Sequence, residues 1–407
     1  MGLMIVRRFR LAALFRSSLL VASMWLVACT HRSDALTNDA YIWQRVWTPA
    51  VAQAMHDGAA DVRQWRVLAA QTDRAGRLQV FHPDISALSS SGKPVVLVVR
   101  IDGQLIQWNE ALLLADTVAL WTSWQGHGIR LAGLEIDHDG GTARLPAYAH
   151  YLAALRSSLP GVRLSITALP AWLHSPDLAA VLAQVDESVL QVHAVRNPRA
   201  GLFDGALAMR WVDDYAQRGD KPFRVALPTY GSRVSWDAQG HLVSVQSEAG
   251  VLDAGDDSRE LLATPQEVAA FLARLQHDPP AHLAGIVWFR LPIASDDRAW
   301  SLPTWLAVMR QQPLHGEVTA SARLGSTAGT LDLVLENPGE LDQPLPAAAV
   351  LPKGCTLADG INGYALSAGR DTLRIERRQP GLLRAHGQRV IGWARCATEG
   401  VQPHVEP

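Results

Sequence analysis

Short runs dense in apolar residues recur along the first three-quarters of the chain. Longer stretches, with apolar positions at helical spacing, separate them. The runs predict strands over Tyr41–Trp47, Gln64–Ala70, Pro94–Ile101, Leu131–Asp137, Val162–Leu169, Ser188–His193, Phe223–Pro228 and His282–Phe289. The stretches between them predict helices over Asn109–Trp124, Leu145–Leu159, Asp204–Arg218 and Pro265–Gln276. Leu145, Tyr148, Leu152 and Leu155, for example, share one helical face. Eight strands alternating with helices over about 270 residues predict an α/β chain closed into a (β/α)8 TIM-type barrel, with a doubly wound sheet as the alternative. Between Gln71 and Gly92 the rhythm falters, because no helical pattern links the second strand to the third.

The rhythm changes after Met309. Gln311-Gln312-Pro313 leaves the helical pattern, and Val318 to Cys396 reads as short alternating strands punctuated by Gly, Pro and Asn. Thr330 to Leu335 is a period-2 run that ends at Asn337-Pro338-Gly339. A small all-β, sandwich-like C-terminal domain is expected. Its only large aromatics are Tyr364 and Trp393, too few for a carbohydrate platform, so a structural spacer without catalytic residues is expected.

At the other end, Arg7, Arg8, Arg10 and Arg16 accompany an apolar segment from Leu11 to Ala28, the pattern of a secretory signal. It closes on Leu26-Val27-Ala28-Cys29, which resembles a bacterial lipobox. That resemblance implies lipidation of Cys29 and, with Thr30 following, a place in the cell envelope at the outer membrane. An ordinary signal peptide with a chance cysteine is the alternative. The expected divisions are a signal peptide over 1–28, a tether over 29–39, the barrel over 40–312 and the β module over 316–400.

Composition narrows the partners. A chain of 407 residues, 48% of them hydrophobic, supports a packed core and excludes a mainly disordered protein. The net charge is -2, and -6 once the four leader arginines are removed, so there is no basic excess for nucleic acid. Past the leader no stretch approaches ~18 consecutive apolar residues, so no transmembrane helix is expected there. Cys355 and Cys396 are the only other cysteines. In an oxidising compartment such a pair reads as a disulfide, worth ~4 kcal/mol in the chain-entropy model for a loop of this length.

The chemistry concentrates in Leu131-Ala132-Gly133-Leu134-Glu135-Ile136-Asp137-His138-Asp139. Alternation on a strand puts Glu135, Asp137 and Asp139 on one face, about 6.6–6.8 Å apart in succession. Leu134, Ile136 and His138 occupy the other face, toward the helices, with His138 structural or supporting. The acids therefore point into the barrel and climb to its C-terminal mouth, where catalytic residues of such barrels sit. Crowding raises the pKa of at least one, and a carboxylic acid still protonated near neutrality is a general acid. Two alternatives stay open: a structural network in which Arg45 or Arg100 neutralises the acids, and a magnesium or calcium site.

This run resembles the fourth-strand motif of chitinase-type (family eighteen) glycoside hydrolases. Glu135 and Asp137 stand at the middle acids of that motif and Asp139 at its catalytic Glu, while Ala132 replaces the first acid. Asp139 is one methylene shorter than Glu, which withdraws the proton by about 1.5 Å, and a 1 Å misplacement can cost ~100-fold in rate. Ala226-Leu227-Pro228-Thr229-Tyr230-Gly231, followed by an insertion, is similar to that family's seventh strand. His282 to Phe289 is similar to its eighth, with Trp288 as the substrate-floor tryptophan. With Leu164 to Trp172 and Gln191-Val192-His193, the pattern from Tyr41 to about Arg310 also resembles the bacterial family of domain of unknown function 3142.

The resemblance implies a glycoside hydrolase acting on a polysaccharide, with Asp139 as proton donor and Asp137 and Glu135 as its supports. The expected substrate is an N-acetylhexosamine polymer, whose acetamido group would serve as nucleophile. Tyr230, Trp288, Trp172 and Trp43 are the aromatic candidates for stacking on sugar rings, and His193 and Gln191 for polar contact. Arg196, Asn197 and Arg199 follow on the next loop. The other class is a glycan-binding lipoprotein on a glycosidase fold without activity. No cofactor and no resident metal are implied, and no phosphate loop, HExxH or GxSxG motif is present.

Overall fold

The computed structural model describes residues 36–105, 107–193, 201–246, 257–368, 372–397 and 401–407. The leader, Cys29, Arg196, Asn197 and Arg199 lie outside the described residues. The first twelve strands are β1 (Thr37–Ile42), β2 (Gln64–Thr72), β3 (Leu78–Val80), β4 (Val95–Ile101), β5 (Leu131–His138), β6 (Leu164–Ala168), β7 (Glu187–Gln191), β8 (Phe223–Pro228), β9 (Gly231–Trp236), β10 (Leu242–Gln246), β11 (Asp257–Leu262) and β12 (Leu283–Phe289). The helices are α1 (Pro49–Gly58), α2 (Ile85–Ser90), α3 (Glu110–Gln125), α4 (Leu145–Ser158), α5 (Leu178–Ala183), α6 (Gly205–Ala216), α7 (Pro265–His277) and α8 (Leu302–Met309).

Eight parallel strands run in the order β1-β2-β4-β5-β6-β7-β8-β12, and β12 pairs back onto β1. The sheet is therefore closed, a TIM-type barrel. Helix starts follow local chemistry. Asn109 and Asp204 accept hydrogen bonds from the amides of Leu112 and Leu207, while Pro49 and Pro265 open α1 and α7. Between β2 and β4 the chain makes the short antiparallel strand β3 and then the six-residue helix α2, capped by Asp84. Six residues are too few to show a helical period, which is why the sequence pattern is silent there. The insertion after β8 is a three-stranded antiparallel sheet, β10-β9-β11.

One boundary differs from expectation. The first strand is Thr37–Ile42, not Tyr41–Trp47, so Thr37, Asn38 and Asp39 belong to the sheet and not to a tether. Asp39 is fully buried among Arg63, Gln64 and Arg66, a polar interior that a search for apolar runs passes over.

Beyond α8 come antiparallel strands only: β13 (Thr319–Leu324), β14 (Leu331–Glu336), β15 (Gln343–Pro344), β16 (Ala348–Val350), β17 (Cys355–Gly360), β18 (Tyr364–Ala368), β19 (Leu373–Arg377), β20 (Leu382–Leu383), β21 (Gln388–Cys396) and β22 (His404–Glu406). They form two four-stranded sheets, β13-β14-β21-β17 and β18-β19-β16-β22, and a short β15–β20 ribbon. Leu333, Leu335, Ala349, Tyr364, Ile375 and Ile391 belong to their shared core. Cys355 and Cys396 face each other across β17 and β21 and form the disulfide. Among the described residues no helix is long and apolar enough to cross a membrane.

Candidate active site

Strand β5 and the residue that follows it set three acids at three depths, each with its own surroundings. At the lowest, Glu135 is fully buried and its carboxylate is fully engaged. Tyr41 donates to Oε1 at 2.6 Å, Ser165 donates to Oε2 at 3.0 Å, and Arg66 Nη1 pairs with Oε2. Arg66 Nη2 also reaches Asp39 Oδ2 at 2.9 Å and Glu187 Oε1 at 2.6 Å. Arg224 bonds Glu187 at 3.1 Å, and the half-exposed Arg63 and Arg163 close the network from outside. Burial alone would raise Glu187, but Arg66 and Arg224 more than offset it and bring its pKa down to about 2.

The Glu135 carboxylate is thus taken up by a buried network below the mouth and does not contact Asp139, where it was expected as a support. The arginine that neutralises Glu135 is Arg66, while Arg100 pairs with Asp139 as expected and Arg45 with none of the three acids. Arg45 instead donates to Gln71 at 2.8 Å. Arg66 lies 69 residues from Glu135 in sequence, and only the closed barrel makes them neighbours.

One pleat higher, Asp137 is buried and accepts from Thr167 Oγ1 at 2.5 Å and from Gln191 Nε2 at 3.3 Å, both on Oδ1. Burial, followed by the charge of Asp139, pushes its pKa up to about 7, so near neutrality Asp137 keeps its proton about half of the time. At the rim, Asp139 is 34% exposed, and its Oδ2 pairs with Arg100 Nη2 at 2.6 Å. The same guanidinium approaches Asp137 Oδ2 at 3.9 Å, as the β4–β5 register, which sets Arg100 beside Asp137, requires.

Beside the acids lies an aromatic cluster. His193 shares a hydrogen bond with the Tyr230 hydroxyl at 3.3 Å and stacks on Phe289 with centroids 5.4 Å apart. Phe289 also meets Tyr230 and Trp43 edge-on, and Arg100 lies 5.8 Å from the Trp43 ring. Burial holds His193 down to about 4, so its imidazole is neutral, and pushes Tyr230 up to about 12. Among the described residues His193 Nε2 has no hydrogen-bond partner.

Four of the expected ligand-contact residues, Tyr230, His193, Gln191 and Trp43, gather here. Gln191 is committed to Asp137. Two others do not reach the mouth. Trp288 is fully buried on the outer face of β12, against Trp305 of α8, and bonds Asn38 at 3.0 Å. Val287 and Phe289 take the inward positions, so alternation moves the aromatic floor one residue on, to Phe289. Trp172 is fully buried as well, and its indole donates to Gly140 O at 2.8 Å, fixing the turn after β5. Gly140 must be glycine, since a Cβ there would lie 2.1 Å from His138 Nε2. His138 faces Trp108 and Tyr148, away from the acids. Among the described residues no group of three or more His, Cys, Asp or Glu side chains is placed to hold a metal ion.

The fold and site define a (β/α)8 barrel with a carboxylate pair at its C-terminal mouth. The chain belongs to the family of domain of unknown function 3142, which it matches over residues 91–294. Residues 320–397 match a second family, domain of unknown function 8456. No curated protein matches by sequence.

Among solved structures, a chitinase from Chromobacterium violaceum is similar at 16% identity and a TM-score of 0.46, covering 64% of this chain and 95% of its own. The spore cortex-lytic enzyme SleL of Bacillus cereus is similar at 12% identity and 0.47, covering 68% and 74%. A chitinase from Bacteroides thetaiotaomicron is similar at 12% identity and 0.47, covering 63% and 90%. With TM-scores below 0.5, these likenesses transfer neither substrate nor activity to this chain.

Proposed function

We propose that the protein is an envelope-anchored glycoside hydrolase, held by a lipid on Cys29 and acting on a polysaccharide that contains N-acetylhexosamine. One arrangement carries the reading: Asp137, buried and with its pKa pushed up to about 7, lies one pleat below Asp139, which follows β5 and is partly exposed. Asp139 is then the group that touches the glycosidic oxygen, and Asp137 below it holds the pair's proton. As the C–O bond breaks, the pair's proton passes through Asp139 to the leaving oxygen while the substrate's acetamido oxygen bonds to the anomeric carbon, and the carboxylate left on the pair faces the positive charge. In the second half of the cycle water attacks the anomeric carbon, the bond to the acetamido oxygen breaks, and the water's proton returns to the pair. Arg100 fixes the Asp139 carboxylate, and Tyr230, Phe289 and Trp43 form the apolar side on which a sugar ring lies.

The test is release of reducing ends from N-acetylhexosamine polymers and cell-wall fragments. Asp139→Asn should lower the rate by about 100-fold or more with the fold intact. Wild-type rates in that variant would remove Asp139 from the acid role. The rate should also fall as pH rises through about 7, when Asp137 loses its proton.

A second reading has its own support. The 2.6 Å Arg100–Asp139 pair engages the acid position, and Ala132 leaves out one acid of the motif. Both suit a barrel that binds glycan without cleaving it. Binding without product release by the wild-type protein selects this reading.

A further inference from the structure

The C-terminal module reaches the turn above the mouth through Arg384 and Asp342. Arg384, just after β20, spreads its guanidinium over the turn between β12 and α8. Nη1 donates to Ala299 O at 2.8 Å and Nη2 to Asp296 O at 2.9 Å. The two carbonyls mark the two ends of one turn, since Ala299 N itself donates to Asp296 O at 3.3 Å. Asp342 of the module holds Arg384 in place at 3.0 Å. It also accepts from Ser301 N at 2.9 Å and from Ala385 N at 2.8 Å.

Both braced residues lead into the site. Ala299 bridges to Tyr230, the hydroxyl partner of His193. Asp296 carries the carboxylate that takes Arg290 Nη2 at 2.5 Å. Arg290 and Asp296, with Trp43, Gln44 and Arg45 opposite, line a cavity of about 250 Å³ at the rim. From the barrel side the turn is tied by Trp300 N to Thr229 O at 2.8 Å and by Leu291 N to Tyr41 O at 2.8 Å. The module supplies the outer half of the clamp.

We infer that Arg384 is a positioning residue for the mouth: it sets the turn over residues 296–299, and through it Tyr230, Arg290 and the rim cavity. A fork of two parallel donors suits this task. A lysine carries three donors on one rotatable ammonium, so it can reach both carbonyls but lacks the rigid planar fork that fixes their spacing. The consequence for glycan handling rests on the reading of the mouth as a glycan site, whereas the bracing itself does not. The module is then part of the site's framework and more than a spacer.

The test is amide hydrogen exchange across residues 290–301 in the full chain, for the wild type, Arg384→Ala, Arg384→Lys and Arg374→Ala. Arg374 pairs with Glu406 inside the module, at 2.7 Å, and serves as the control. Exchange at Arg298, Ala299, Trp300 and Ser301 should be about tenfold faster in Arg384→Ala, intermediate with lysine and unchanged in Arg374→Ala. For a glycan that the wild type cleaves or binds, Arg384→Ala should raise KM or Kd about tenfold, and where there is turnover kcat should stay within about twofold.

Unchanged exchange in Arg384→Ala overturns the proposal, and so does faster exchange with an unchanged KM or Kd. If Arg384→Ala does not fold, the lysine variant decides on the same readouts. If the wild type neither binds nor cleaves any glycan offered, the glycan reading fails alone, and the exchange data still decide whether Arg384 sets the turn.

Discussion

Glu135 in β5 and Asp139 just past its end are four residues apart and meet opposite surroundings. Glu135 is fully buried, with an arginine, a tyrosine and a serine on its two oxygens. Asp139 has one arginine and an open side. In the lower barrel three carboxylates and two buried guanidiniums neutralise one another, with two more guanidiniums at the edge. At the mouth the same residue types are incompletely paired, and Asp137 answers by holding a proton. Burial sets the cost of a charge, but the number of available partners decides whether that charge becomes architecture or chemistry.

Removing the partner from the lower barrel should produce the largest effect. Arg66→Met strands Asp39, Glu135 and Glu187 without their shared cation and should destabilise the fold by about 3–5 kcal/mol in denaturant unfolding. A loss below about 1 kcal/mol would show that the lower acids are no better paired than those at the mouth.

Next comes a test of pH dependence at the mouth, where two shifts oppose each other. Asp137 in the folded state titrates near 7, above its unfolded value. Its contribution to stability is complete below the unfolded pKa of about 4 and is lost as pH rises through about 7. His193 in the folded state titrates near 4, below its unfolded value of about 6.5, so stability is gained as pH rises from about 4 to about 6.5. In the wild-type protein the two slopes largely cancel between those limits. Asp137→Asn should expose a rise in stability with pH, and His193→Gln should expose a fall, each up to about 1.4 kcal/mol per pH unit. Parallel curves for the two variants would mean that the mouth does not hold a protonated acid beside a neutral imidazole.

Smaller effects sharpen the contrast along β5. Asp139→Asn should change stability by less than about 1 kcal/mol, since its pair with Arg100 is partly exposed. Tyr230→Phe removes the hydroxyl from His193 and should cost about 1 kcal/mol, measured the same way.

Much of this was legible in the sequence. Alternation put Glu135, Asp137 and Asp139 on one inward face, and the strand–helix rhythm gave the barrel. Depth was not legible, because a strand's own pattern does not show what stands opposite it. Arg66 and Arg224 each sit as a single charge between apolar residues, a signal that marks an inward polar position without naming its partner, whereas Glu187, between Asp186 and Ser188, carries no such signal.

The misplacement of Trp288 had a local remedy. If Val287 faces inward, then Phe289 does and Trp288 does not. Trp172 could not be settled this way, since it follows its strand in a one-turn 3-10 segment where alternation no longer applies. Arg384 lies 85 and 88 residues from the carbonyls it braces, with no pattern around it to announce that reach.

The lower charge network also bears on how the chain comes together during synthesis. Its members are spread from Thr37 to Arg224, a separation of 187 residues, and Arg66 waits 121 residues for Glu187. Contacts that distant close late and make for slow folding. While they are missing, a growing half-barrel presents ionised groups from its unfinished interior as well as valine and leucine. Those groups keep water around an open edge that would otherwise recruit another strand. The arginine–carboxylate layer that locks the finished barrel is thus also the set of charges that an unfinished barrel leaves open to water.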